Sequence, residues 1–445
     1  MKRKAYDELL RWKEESKGTS AILIDGARRT GKSYLAEVFA KNEYRSHIMI
    51  DFSEAPPSVR ETFEEDSMNL DLLFSKLSLI YGTRLYERES LIVFDEVQRF
   101  PRAREMIKHL VADGRYDYLE TGSLISIHTN ISNIVIPSEE EHLELHPMDF
   151  EEFLWALGND STIPLIKEFF ENEIPLGDAA HKTVMNLFRQ YMLVGGMPQA
   201  VKMYVQSRDF SKVDRVKRNI LNLYREDISR FATGYETKVR DIFDSIPSQL
   251  SRKERRFKIG SLGKNARSRD YEDAFLWLSD GMITNDCFNS TDPTVGLSMY
   301  EGRATRKCYM ADTGLLITHS ISENGINGNE LYMDILSRRL NINEGMFVEN
   351  IVAQILRSGN RKLYFYSRSD TNERRNDIEI DFLIRRNGRI CPLEVKSTKN
   401  TPHISLDKFI QKFGKTLGEP VILYTGDVVR KDGILCLPLY MAMFL

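Results

Sequence analysis

Cysteine is scarce in this chain of 445 residues: Cys287, Cys308, Cys391 and Cys436 lie far apart and form no C-x-x-C pair. This excludes a disulfide framework and a zinc knuckle, and makes four buried thiols the expectation. Long apolar runs are missing too. Nothing approaches the roughly 20 residues of a bilayer-spanning helix. The opening stretch MKRKAYDELLRWKEESKG reads as a short amphipathic helix without the apolar core of a signal peptide. A cytoplasmic protein with no membrane partner is expected. Neither sign of charge dominates: 62 Lys and Arg stand against 65 Asp and Glu. That balance excludes a uniformly basic nucleic-acid binder and leaves room for a local basic patch. His142 and His146 in EHLELH are four apart, but the segment alternates like a strand, so helical metal-ligand spacing does not apply.

What is present is an ordinary globular composition, 42% hydrophobic and 29% charged. The length points to about two to four domains. The sharpest local pattern is AILIDGARRTGKS, residues 21–33, followed by YLAEVFAK at helical spacing. A strand, a phosphate loop and a helix follow one another in the required order. Glycines let the backbone turn tightly, so that successive N–H groups and the helix N-terminus can surround a polyphosphate. Lys32 would reach the β and γ phosphates and the Ser33 hydroxyl would ligate Mg²⁺. The candidate ATP contacts are Gly26, Arg28, Arg29, Thr30, Gly31, Lys32, Ser33 and Tyr34.

A second element, SLIVFDEVQRFP at residues 90–101, is a continuous apolar run ending in two carboxylates. Such a run fits a parallel strand buried on both faces, and ligands of open α/β sheets bind beyond the carboxyl ends of strands. Asp95 would hold the Mg²⁺ shell and Glu96 would polarise the attacking water. A third run, YDYLETGSLIS, ends a strand at Thr121, Gly122 and Ser123. There Thr121 or Ser123 would sense the γ-phosphate or hold the water, although Thr-Gly-Ser is also a common turn.

Residues 148–245 are rich in helical patterns, broken at Pro164, Pro175 and Gly195-Gly196. Arg99, Arg102, Arg225 and Arg230 are candidate charge-stabilising fingers, but none can be assigned and each reads more readily as a solvated or helix-pairing charge. From 246 the order is helix, basic loop, helix, then short strands, which fits a winged-helix-like module. The basic segment 252–269 suits phosphate contacts and makes DNA a candidate partner. The following helix begins Tyr271, Glu272, Asp273, whose acids repel phosphates, so backbone contact rather than base reading is expected. Docking of a protein on this basic face is the other reading.

Near the end, IEIDFLIRRNGRICPLEVKS (378–397) carries a hairpin signal, because Asn387-Gly388 is the preferred dipeptide of a two-residue type I′ turn. That register sets Asp381 opposite Glu394 and Glu379 opposite Lys396. Alternation then turns Ile378, Ile380, Phe382, Ile384, Leu393 and Val395 to the core and the four charged residues to the other face. Opposed carboxylates, with Cβ atoms roughly 5 Å apart, are unfavourable unless something positive sits between them. A divalent metal on oxygen ligands would supply it. Lys396 would position the water or stabilise developing charge, and Glu349 in GMFVENIVAQIL would supply an additional acid. The other reading is an exposed polar face in which Lys396 pairs with Glu379.

The motifs GARRTGKS, IVFDEVQRFP, ETGS, LHPMDFEEFL and YMLVGGMPQAV, in that order, resemble the prokaryotic AAA-type P-loop ATPases of the "ATP-binding protein" group. IPSQLSRKERRFKIGSLG and YMADTGLL match the C-terminal domain of uncharacterised function that accompanies it. The resemblance implies that 148–245 form a helical lid, with Gly195-Gly196-Met197-Pro198 turning a helix end back toward the nucleotide. The order helix, three strands, helix, strand after residue 345, with Asp381, Glu394 and Lys396, resembles the PD-(D/E)xK nucleases, except that Ile380 stands where their proline does.

The expected architecture is α/β. An AAA-type parallel-sheet core occupies 1–147, a helical lid 148–245, a winged-helix-like module 246–320 and a restriction-endonuclease-like domain 321–445. The expected function is Mg²⁺-dependent ATP hydrolysis coupled to nucleic acid. The alternatives are a nucleotide-gated switch or a scaffold with a non-catalytic C-terminal domain. The expected catalytic residues are Lys32, Glu96, Asp381, Glu394 and Lys396, and the expected metal ligands Ser33, Asp95, Asp381, Glu394 and Glu349. Oligomeric state, a homo-oligomer included, stays open.

Overall fold

The computed structural model describes residues 1–122, 139–252, 255–264, 266–294, 296–321, 332–333, 344–368, 377–414 and 416–445. The chain divides into two compact units, 1–146 with the short piece 280–282, and 147–279 with 283–445.

In the first unit, β1 (Ala21–Asp25), β2 (Ser46–Asp51), β3 (Ser90–Asp95), β4 (Asp117–Gly122) and β5 (Glu140–Glu144) form one all-parallel sheet in the order β2-β3-β4-β1-β5. Both faces are covered, which is why AILID and SLIVFD read as unbroken apolar runs and are buried throughout. Period-two alternation divides them between two cores. Ile22, Ile24, Leu91 and Val93 pack with helices Ala5–Ser16 and Lys32–Glu43. Leu23, Ile92 and Phe94 pack with helices Pro57–Glu65, Leu70–Tyr81 and Ile107–Asp113. Phe39 and Phe94 are essentially unexposed, and each such side chain stabilises the unit by about 1.5–3 kcal/mol. The consequence for function is positional: Asp25, Asp95 and Gly122 end adjacent strands on one edge of the sheet.

The second unit begins with helices. Phe150–Ala156 starts in a capping box of Asp149 and Glu152, and Thr162–Glu171, Asp178–Val194, Pro198–Ser207, Phe210–Phe231 and Glu236–Leu250 follow. Between Val194 and Pro198 the turn is sharp, with Gly195 at φ +82°. Gly196 donates its N–H to Asp312 and accepts from Met148 N at 2.7 Å. After helix Glu272–Asp280, β6 (Thr284–Ser290) and β7 (Glu301–Met310) make an antiparallel pair. β6 also pairs in parallel with β8 (Leu363–Arg368), which pairs with β9 (Ile378–Ile380), giving the order β7-β6-β8-β9.

A five-stranded sheet, β10-β11-β12-β14-β13, completes the unit from β10 (Phe382–Arg386), β11 (Arg389–Val395), β12 (Val421–Tyr424), β13 (Val429–Lys431) and β14 (Ile434–Pro438). Helix Glu344–Ser358 precedes it in sequence, and helix Ile404–Phe413 lies between β11 and β12. The 387–388 turn has φ of +50° at Asn387 and +78° at Gly388, and Phe382 pairs with Leu393 as the turn requires. The alternation expected to run unbroken through 378–384 is instead interrupted at Asp381, because β9 hydrogen-bonds to β8 while β10 bonds to β11. Leu383 and Pro392 are buried along with Phe382 and Ile384, and Val395 is only partly so, so one-sided alternation does not hold here. All four cysteines are buried free thiols. Among the described residues no helix is long and apolar enough to cross a membrane.

Candidate nucleotide site and acid cluster

The phosphate loop leaves β1 through Gly26, whose φ is +155° and where a Cβ would lie 2.5 Å from Leu145 O, so only glycine fits. Arg29 and Gly31 take φ of +73° and +94°. The Thr30 hydroxyl donates to Ala27 O at 2.8 Å, and the guanidinium of Arg3 clamps the loop from outside, donating to Thr30 O at 2.9 Å and His146 O at 2.6 Å. Arg3 lies in a segment that reads only as amphipathic helix, so no sequence signal marked it. Arg28, Arg29 and Tyr34 are exposed beside the loop.

Lys32 is buried, with Nζ 3.0 Å from both Gly26 O and Ala27 O. Burial lowers its pKa, while Glu96, Asp95 and Asp25 act in the opposite sense. Ser33 Oγ donates to Asp95 Oδ1 at 2.7 Å. The Thr121 hydroxyl donates to the same carboxylate oxygen and accepts from Glu96 N at 3.2 Å, so one side chain on β4 bridges both acids. Glu96 sits at φ +54° and its carboxylate accepts from Gln98 Nε2 at 2.7 Å, a partner the sequence did not suggest. Gly26, Lys32, Ser33, Asp95, Glu96 and Thr121 are thus brought together, and Ser123 lies outside the described residues. The donor set of a hydroxyl and a carboxylate fits a hard cation such as Mg²⁺, and a loop with glycine at positions 26 and 31 fits a polyphosphate.

Beside the loop, His142 on β5 lies 3.3 Å from Asp25 and 3.1 Å from Glu140. Hydrogen bonds to Asp25 and Glu140 push its pKa up to about 9. The neighbouring Glu120 is fully buried. Burial first, and then the charge of Glu140, raise its pKa well above the carboxylate range. His146 pairs with Glu144, and His142 lies on a strand as the alternation predicts. Among the arginines considered as fingers, Arg102 pairs with Glu105 and Arg225 with Asp244.

In the second unit, Asp381, Glu394, Lys396 and Glu349 do converge, but the positive charge between the carboxylates comes from side chains. Lys307 Nζ on β7 is 3.1 Å from Glu349, 3.2 Å from Glu379 and 3.7 Å from Asp381. Arg255 pairs with Glu349 and Lys396 with Glu394. Asp381 also accepts from Val395 N at 2.9 Å. Burial and then Asp381 push Glu394 up to about 7, against Lys396 and Lys307. Asp381, Glu394 and Glu349, the expected metal ligands of this unit, thus each lie beside a lysine or arginine nitrogen. Among the described residues no group of three or more His, Cys, Asp or Glu is disposed to hold a metal ion. Lys396 pairs with Glu394, not with Glu379.

Comparison with known proteins agrees with the first unit. Residues 18–154 match the family model described as AAA domain. Residues 185–325 match a domain of unknown function (DUF8612) and 344–441 another (DUF4143). No curated protein matches the chain. Among solved structures, PCH-2 of C. elegans is similar at 13% identity and a TM-score of 0.22, over 37% of this chain and 47% of that one. A signal-transduction ATPase with numerous domains and a tetratricopeptide-repeat sensor, from Pyrococcus horikoshii, is similar at 11% identity and a TM-score of 0.26, over 78% of this chain and 45% of that one. The Hef helicase domain of Pyrococcus furiosus follows at 12% and 0.17, over 94% and 90%. This chain thus spans about half the length of the first two. It carries an AAA-type P-loop ATPase domain followed by a DUF4143 domain.

Proposed function

We propose that the chain binds ATP with Mg²⁺ through the AAA-type domain and hydrolyses it. The observation that carries this reading is the 2.7 Å bond from Ser33 to Asp95, which joins the helix after the phosphate loop to the acid at the end of β3. Backbone N–H groups of Gly26 to Ser33 hold the phosphates, with Arg28, Arg29, Thr30 and Tyr34 around them and Lys32 countering their charge. Ser33 and Asp95 hold Mg²⁺, which when bound neutralises charge on the phosphate oxygens. Glu96 orients the water, and Thr121 fixes Glu96 and Asp95 relative to each other; Ser123 is assigned to γ-phosphate sensing with it. Calorimetric titration with MgATP tests the binding, and phosphate release by wild type against Glu96→Gln tests the hydrolysis. Equal turnover in the two would remove Glu96 from its role.

The domain reading extends the same proposal: a core at 1–147, a helical lid at 148–245, a winged-helix-like module at 246–320 and a restriction-endonuclease-like domain at 321–445, in a cytoplasmic protein. The run helix Glu344–Ser358, β8, β9 with β10, β11, helix Ile404–Phe413 and β12 supports the last of these. The basic segment 252–269 supports DNA as the partner that couples to ATP turnover. Asp381, Glu394 and Lys396 belong to that reading as candidate catalytic groups. The occupation of their neighbourhood by Lys307 favours a second one, in which the C-terminal domain is a non-catalytic element that ATP binding regulates. ATP turnover with and without DNA, in wild type and Asp381→Ala, separates the two.

A further inference from the structure

The acid cluster of the second unit draws its parts from distant places: Arg255, Lys307 on β7, Glu349 on helix Glu344–Ser358, Glu379 on β9, Asp381 at the β9–β10 break and Glu394 on β11. Lys307 and Glu349 have no solvent exposure at all. Carboxylates withdrawn from water must be protonated, paired or metal-bound. An ammonium is a compact charge with three donors. Lys307 presents it to three carboxylates at 3.1, 3.2 and 3.7 Å, with its charged end 5.1 Å from the centre of the Phe365 ring. Tyr309 donates to the Glu349 oxygen that faces Lys307, and Arg255 pairs with the other.

We propose that Lys307 is the resident cation of this cluster. It is an ionic clamp that ties β7 to the helix carrying Glu349 and to the β9–β10 junction, and it supplies positive charge to the acids from within, where a divalent ion would otherwise sit. The clamp stands on the ion pairs alone. Its consequence, that metal-dependent cutting is shut off in this conformation, rests on the endonuclease-like reading of the domain.

Lys307→Met keeps the stem and removes the charge. The full-length variant is expected to melt roughly 6–10 °C below wild type, as buried Glu349 and the part-buried Glu379 and Asp381 lose a partner. Lys307→Met combined with Glu349→Gln should recover part of that loss, since one uncompensated charge goes with it. Without nucleotide, Mn²⁺ and EDTA should leave wild-type melting unchanged. A Lys307→Met chain that melts like wild type overturns the clamp. So does a Mn²⁺-dependent rise in wild-type melting that Asp381→Asn abolishes, because the acids would then hold a metal with the lysine in place. That comparison uses no Lys307 variant, so it decides the matter if Lys307→Met fails to fold. DNA cutting by wild type with Mg²⁺, lost in Asp381→Asn, would overturn the closure. A melting loss without cutting by either wild type or Lys307→Met keeps the clamp and removes the endonuclease-like reading.

Discussion

Ser33 Oγ lies 2.7 Å from Asp95 Oδ1, so the first turn of helix Lys32–Glu43 is tied to the tip of β3. The adjacent Lys32 ammonium, buried and held by Gly26 O and Ala27 O, is the one buried cation of the loop itself. Lys32→Ala is expected to weaken ATP binding roughly 100-fold, the equivalent of about 3 kcal/mol from a charge-assisted hydrogen bond. Calorimetry measures it, and wild-type affinity in the variant would contradict the assignment.

Glu96 is held at its backbone by Thr121 and at its carboxylate by Gln98. Glu96→Gln should retain ATP binding while turnover falls by a factor on the order of 10²–10⁴. Single-turnover phosphate release reads this directly. A fall in affinity instead of rate would place Glu96 among the binding groups.

His142 lies between Asp25 and Glu140, and hydrogen bonds donated to both raise its pKa to about 9. A raised histidine favours the folded state while protonated. Its contribution is therefore complete below the unfolded value of about 6.5 and is lost as pH rises through about 9. His142→Gln should melt below wild type at about pH 6, with the difference vanishing by about pH 10. Because the ring is half-exposed, the effect is that of a solvent-screened pair, and added salt should shrink it.

Gly196 has no room for a methyl group, since a Cβ there would meet the backbone of Met148. Gly196→Ala should destabilise the second unit by about 1–3 kcal/mol or more. Gly260→Ala, where nothing lies within 4 Å, is the control and should melt close to wild type. Equal melting of the two variants would show that the turn yields freely.

Much of the nucleotide site was legible because its information is local. Gly26, Gly31, Lys32 and Ser33 are near neighbours, and glycine at these places reports a backbone demand that the structure meets with positive φ at Gly26 and Gly31. Asp95 and Glu96 follow an apolar run that could only be a strand buried on both faces. The hairpin turn was readable for the same reason, since Asn387-Gly388 specifies its own dihedrals. Arg3 and Gln98 were not, because an arginine or glutamine carries no trace of its partner until the chain has folded.

By itself the sequence determined the strand, loop and helix of the phosphate site, the acids at the tip of β3 and the register across the 387–388 turn. These depend on dihedral preference and hydrophobic period, which act over a few residues. Only the tertiary structure decided which cation meets Asp381, Glu379 and Glu349. Lys307 precedes the nearest of them by more than forty positions, and a buried charge is matched by whatever group packing carries to it.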